Sequence, residues 1–147
     1  MQSEDFDRIE LLRQAHMRKK SLFTASEEDY MEAIYEVERI YGYAKLVDVS
    51  NILGVKPSTA LSMIRRLEEK GLLIYNRYRG MKLTERGRMI AKKISDSHET
   101  IRKFLISIGV DEDTANIEAE LIEHFLSRKT LEKLMEFYRE CREEVRK

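Results

Sequence analysis

Between residues 54 and 80, three glycines and the chain's only proline divide the sequence so closely that few folds can accommodate it. Before Gly54, Leu46, Val49 and Leu53 recur at helical spacing over Lys45 to Leu53, and the glycine then permits a tight turn. Lys56-Pro57-Ser58 opens the next helix, because proline is tolerated in a first turn and Ser58 can help satisfy its free amides. Leu61, Ile64 and Leu67 give that helix an inner face before Gly71 stops it. The segments "LLIYNR" and "MKLT" alternate as two short strands around "YRG", with Gly80 in the turn. A helix from Ser26 to about Ile40, with Tyr30, Ile34 and Val37 on its apolar side, precedes all of this. Helix, helix–turn–helix, then β-hairpin is the order of a winged helix.

Beyond Thr84 the pattern is helical almost to the end, so the fold is expected to be mainly α. Met89, Ile90, Ile94, Ile101, Phe104, Leu105 and Ile108 make one long stripe ending at Gly109. "VDEDTANIEAELIEHFLS" reads as a second helix with acids in its first turn, where the macrodipole favours them. "TLEKLMEFYRECREEV" reads as a third, with Leu131, Leu134, Met135, Tyr138 and Cys141 on one side. The stripes on the first and third of these offer more apolar surface than one short domain can bury, which points to a homodimer. The first 21 residues can form an amphipathic helix through Phe6, Ile9, Leu12 and Leu22, but are charged enough to fray. The expected division is an extension at 1–24, a winged helix–turn–helix domain at 25–92 and a helical domain at 93–147.

No run of about 18 apolar residues is present and no apolar segment follows the N-terminus, so neither a membrane span nor a signal peptide is expected. The single cysteine, Cys141, cannot close an internal disulfide, which fits a reducing cytoplasm, and its place on an apolar stripe fits packing.

A net charge of zero conceals a division. Residues 45–93 hold 12 Lys and Arg against 4 Asp and Glu, whereas 1–44 hold 6 against 10 and 94–147 hold 9 against 13. Only the middle is therefore suited to a polyanion. In a helix–turn–helix the second helix lies in the major groove. Here it offers Lys56, Ser58, Thr59, Ser62 and Arg65 on the side away from its apolar residues. Small hydroxyl side chains let such a helix sit deep. The hairpin tip carries Arg77, Tyr78 and Arg79, and its two arginines suit phosphates or the minor groove. A winged helix used for protein contact alone is the plainer alternative, and the charge excess favours DNA.

A second constellation lies outside the basic block. Glu120, Glu123 and His124 stand at i, i+3 and i+4 of one helix, Asp29 and Glu32 share a face of the first core helix, and His98 follows the hairpin. Each has a plain reading. Asp29, three residues after Ser26, can complete a capping box, Glu32 can be solvated charge, and His98 can be a satisfied core histidine. Taken together, four carboxylates in contact repel unless cations neutralise them.

The segments "EEDYMEAIYE", "VDVSNILGVKPSTALSMIRRLEEKGLL", "YRGMKLTERG", "SHETIRKFL", "IGVDED" and "EAELIEHFLS" come in an order that resembles the diphtheria toxin repressor family of metal-dependent transcriptional repressors. The likeness is strongest to its short manganese-regulator branch and covers roughly residues 25 to 135. It implies an N-terminal winged helix and a C-terminal helical domain for metal binding and dimerisation. It also implies a two-metal centre held by Asp29, Glu32, His98, Glu120, Glu123 and His124. Where the iron-responsive branch has methionine and cysteine, this chain has Asp29 and Glu120. That hard oxygen-rich set suits two Mn2+ per subunit, with Fe2+ as an acceptable substitute. The ligands then join reading head to dimer core and fix the separation of two recognition helices that reach grooves about 34 Å apart on operator DNA.

Two rival readings differ in class. A carboxylate-bridged di-metal enzyme of the helical-bundle type uses two Glu-x-x-His motifs, and this sequence has none. A winged-helix regulator answering a small molecule requires the polar cluster to be ordinary ion pairing.

Overall fold

The computed structural model describes residues 3–21 and 26–146. In chain order these form α1 (Ser3–Ser21), α2 (Glu27–Tyr41), α3 (Leu46–Leu53), α4 (Pro57–Glu69), β1 (Leu73–Asn76), β2 (Gly80–Leu83), α5 (Glu85–Ser107), α6 (Glu112–Phe125) and α7 (Arg128–Arg146). The protein is thus mainly helical, as expected, and no helix among the described residues is long and apolar enough to cross a membrane. Two compact units emerge, one of residues 25–97 and one of residues 1–24 with 98–147. The expected boundary at residues 24 and 25 falls outside the described residues.

The first unit is the winged helix. Ser26 caps α2 with a full capping box, and Gly42, at φ 82°, ends the helix in a left-handed turn. Tyr30, Ile34 and Val37 are buried, as their spacing requires. Gly54, at φ 62°, closes α3, and Val55 N–H returns to Ser50 O at 3.0 Å to set the turn before α4. Pro57 occupies the first turn of α4, but Ser58 does not cap it. The N-cap is Lys56, whose side chain makes no capping hydrogen bond. Ile64 and Leu67 are fully buried against Val49, Leu73 and Met81 in one core.

β1 and β2 pair antiparallel with Leu73 opposite Leu83 and Asn76 opposite Gly80. The wing is tied down on three sides. Asn76 Oδ1 accepts the N–H groups of Tyr78 and Arg79 at 2.9 and 3.0 Å, which fixes the tip. Ala44 and Met81 exchange two backbone hydrogen bonds at 2.9 and 2.7 Å beside the hairpin. The carboxylate of Glu38 accepts Leu83 N–H at 2.8 Å and pairs with Arg88. A Cβ at Gly80 would stand 2.5 Å from Ala44 O, and φ there is +85°, so glycine is required twice over.

The second unit has a thin core. Ile101, Leu105, Ala115 and Ala119 are buried, with Phe104, Val110, Ile122 and Leu131 half-buried around them. Phe104 and Tyr138 meet edge to face at 6.0 Å. Asp111 caps α6 by accepting Thr114 N–H at 3.0 Å. The expected stripe on α5 is buried at Ile101 and Leu105 but exposed at Met89, Ile90 and Ile108, and Ile117, Leu121 and Phe125 of α6 are exposed as well, at 66%, 52% and 43%. Cys141 lies half-buried on α7. In α1, Ile9 and Leu12 are exposed rather than packed on a stripe. Leu22 and the side chain of Phe6 lie outside the described residues.

Candidate metal centre and DNA interface

The α6 sequence Ala115–Phe125 presents three faces. Ala115 and Ala119 go to the core, Ile117, Leu121 and Phe125 to the outside, and Glu120, Glu123 and His124 lie half-buried between them. α5 adds His98 from the same unit. Its Nδ1 lies 3.1 Å from Glu120 Oε2, while His124 Nε2 lies 3.3 Å from Glu120 Oε1. The two oxygens of one carboxylate therefore address two different imidazoles. One ligand atom from each of His98, Glu120 and Glu123 falls within 4.8 Å of the others.

Not every nearby carboxylate is available. Glu99, next to His98, receives Arg102 through two parallel bonds of 2.8 Å, Nε to Oε2 and Nη2 to Oε1. That guanidinium, with help from Lys103, holds its carboxyl down to about 2. Glu112 is engaged by the same arginine at 3.3 Å, and Asp111 is occupied as a cap. Within the helical unit, the residues singled out in the sequence that lie close together are His98, Glu120, Glu123 and His124.

Asp29 and Glu32 belong to the winged-helix unit. Both are half-buried on one side of α2, beside the buried row of Tyr30, Ala33, Ile34 and Val37. Asp29 is also the third residue of the capping box, its Oδ2 accepting Ser26 N–H and its own N–H donating to Ser26 Oγ at 3.3 Å. Burial, and secondarily the Asp29 charge, raise the pKa of the neighbouring Tyr30 hydroxyl.

Lys56, Ser58, Thr59, Ser62 and Arg65 are all exposed along α4, and Arg77 and Arg79 are exposed at the wing tip. A groove of about 660 Å³ runs between the start of α3, α4 and the wing, lined by Lys45, Arg65, Tyr75, Arg77 and Tyr78 among others. Arg65 stacks over the Tyr75 ring at 5.7 Å and Lys45 over Tyr43 at 5.9 Å. Lys45 and Tyr75 were not singled out by the sequence, because neither stands on the recognition helix or in the tip. Strand alternation puts Tyr75 on the face of buried Leu73, where it is half-buried against the core.

Two family descriptions match in succession: "Iron dependent repressor, N-terminal DNA binding domain" over residues 22–81, and "Iron dependent repressor, metal binding and dimerisation domain" over residues 84–146. The HTH-type transcriptional regulator MntR of Bacillus pumilus is 39% identical over 123 residues, covering 82% of this chain and 85% of the relative. The crystal structure of T. acidophilum IdeR superposes with a TM-score of 0.68 at 28% identity, covering 78% of this chain and 55% of that one. The manganese regulator SloR gives a TM-score of 0.62 at 26% identity, over 78% of this chain and 54% of that one. The chain belongs to the iron-dependent repressor family: it is a metal-dependent, DNA-binding transcriptional regulator with a dimerisation domain, and not an enzyme.

Proposed function

We propose that the chain is a manganese-responsive repressor of genes for metal uptake, cytoplasmic and acting as a homodimer on operator DNA. Two Mn2+ per subunit are held by Asp29, Glu32, His98, Glu120, Glu123 and His124. The observation that carries this is Glu120, whose two oxygens lie 3.1 and 3.3 Å from the imidazoles of His98 and His124. With His98 and His124 on either side of it, the Glu120 carboxylate would help to hold divalent cations through its oxygens and their imidazole nitrogens. The donor set fits: oxygen and imidazole nitrogen without sulfur suit manganese and ferrous iron. Bound there, divalent cations supply the positive charge that offsets the carboxylates. The manganese regulator SloR among the similar structures favours the same metal.

Asp29 and Glu32 come from the unit that reads DNA and the other four ligands from the helical unit. Shared coordination makes metal and DNA strengthen one another's binding by the same factor. Ser58, Thr59 and Ser62 read base edges from α4 with Lys56 and Arg65 beside them, while Arg77 and Arg79 hold phosphates or the minor groove. Protomers meet through the exposed row Ile117, Leu121 and Phe125.

The test is operator binding by the full chain in chelator, Mn2+, Fe2+, Co2+ and Zn2+ at several salt concentrations. Binding is expected with Mn2+, is lost in chelator, and weakens steeply as salt rises. Equal affinity of metal-free and manganese-loaded protein refutes the reading.

A further inference from the structure

We propose that Ser26 is a positioning residue for the metal centre, its capping box holding the Asp29 carboxylate in the orientation in which it coordinates. The inference rests on the assignment of Asp29 as a ligand made above. The sequence posed cap and ligand as alternatives for Asp29, and the geometry allows both at once. Ser26 N–H donates to Asp29 Oδ2, so the carboxylate is fixed by main chain rather than by another mobile side chain. In return, Ser26 Oγ accepts Asp29 N–H at 3.3 Å and pins the backbone of the same residue. Both ends of Asp29 are thus tied to one neighbour, and the helix that starts there carries Glu32 one turn on.

A carboxylate has about four acceptor positions on its two oxygens, and a single main-chain donor takes one of them. The cap therefore restricts where the group points without exhausting it. Partners of ligating side chains that act in this way typically matter 10–100-fold in metal affinity. The opposite arrangement is competition, in which the cap holds Asp29 off the ion and its loss tightens binding.

α6 supplies an internal control. Asp111 caps it in the same manner, accepting Thr114 N–H at 3.0 Å, but the first turn of α6 holds no ligand and Glu120 lies more than two turns further on. Losing that cap weakens a ligand-bearing helix without touching the orientation of any ligand.

The experiment titrates Mn2+ alone, by calorimetry without DNA, into the full chain and its Ser26→Ala, Ser26→Thr, Ser26→Pro, Asp111→Ala and Asp29→Ala variants. Circular dichroism confirms that each is folded. Proline suits the φ of −83° at Ser26 and deletes the N–H donor as well as the hydroxyl. Ser26→Ala is expected to weaken manganese binding on the order of 10-fold and Ser26→Pro further, with Ser26→Thr and Asp111→Ala within about twofold of the parent. Equal losses in Ser26→Ala and Asp111→Ala overturn the proposal in favour of general helix stability. Unchanged or tighter binding in both Ser26→Ala and Ser26→Pro overturns it outright. If Asp29→Ala itself leaves manganese binding intact, the ligand assignment fails. A loss in Asp29→Ala with none at Ser26 overturns only the positioning role.

Discussion

Glu120 and Glu99 show how little residue type alone decides. Both are half-buried glutamates in the same unit, yet one faces two imidazoles and the other is locked to Arg102. The i, i+3, i+4 pattern on α6 was legible because all three residues ride on one helix. The approach of His98 to Glu120 was not, since it joins positions on two helices, and only the family resemblance linked them. Asp29 offers the sharpest test at this scale. A thioether is a poor ligand for a hard cation, so Asp29→Met should lower activation by Mn2+ on the order of 10-fold while affecting Fe2+ less. Operator affinity measured across Mn2+, Fe2+, Co2+ and Zn2+ checks this, and an unmoved ranking of metals would reduce Asp29 to its cap.

Among the elements, those bounded by punctuation were the readable ones. Gly54, Pro57, Gly71 and Gly80 placed α3, α4 and the hairpin to within a residue or two, because each fixes a turn by local stereochemistry. Ser58 misled: a hydroxyl near the start of a helix caps it only from the N-cap position, and Lys56 holds that position. Gly87 carried no readable meaning inside the α5 pattern, since its reason is tertiary. A Cβ there would lie 1.9 Å from Leu72 O, so α5 approaches that backbone more closely than any side chain allows. Gly87→Ala is expected to cost about 1–3 kcal/mol or more through the forced shift, despite alanine's higher helix propensity. Chemical denaturation of the metal-free protein measures this, and a neutral or stabilising result would show that the contact yields easily. The groove residues Lys45 and Tyr75 escaped for the same reason as Gly87. They belong to different elements that meet only after folding.

At the scale of the molecule, the order of a DNA-reading unit followed by a metal-binding one was plain from charge and motif order. The surface left for a second protomer was not. Helical spacing marks a stripe as apolar without saying which members pack inward; on α5 Ile101 and Leu105 do, while Met89, Ile90 and Ile108 stay exposed. Replacing Leu121 by Glu should therefore weaken self-association by about 2 kcal/mol, as for an anchor at the centre of an interface. Sedimentation of metal-free protein reads this, and an unchanged dimer would place the contact elsewhere. The thin core of the helical unit has a further consequence. Among its described residues only four side chains of the helical unit are buried, two of them alanines, with Phe104, Val110, Ile122 and Leu131 half-buried around them, which leaves modest apolar burial to set against the entropy of ordering. Its folding is then governed by mass action: the second protomer is a ligand for the folded state, and dilution favours the unfolded one. The melting temperature of this half should rise with total protein concentration, so the number of copies in a cell sets how many molecules are folded well enough to sense metal at all.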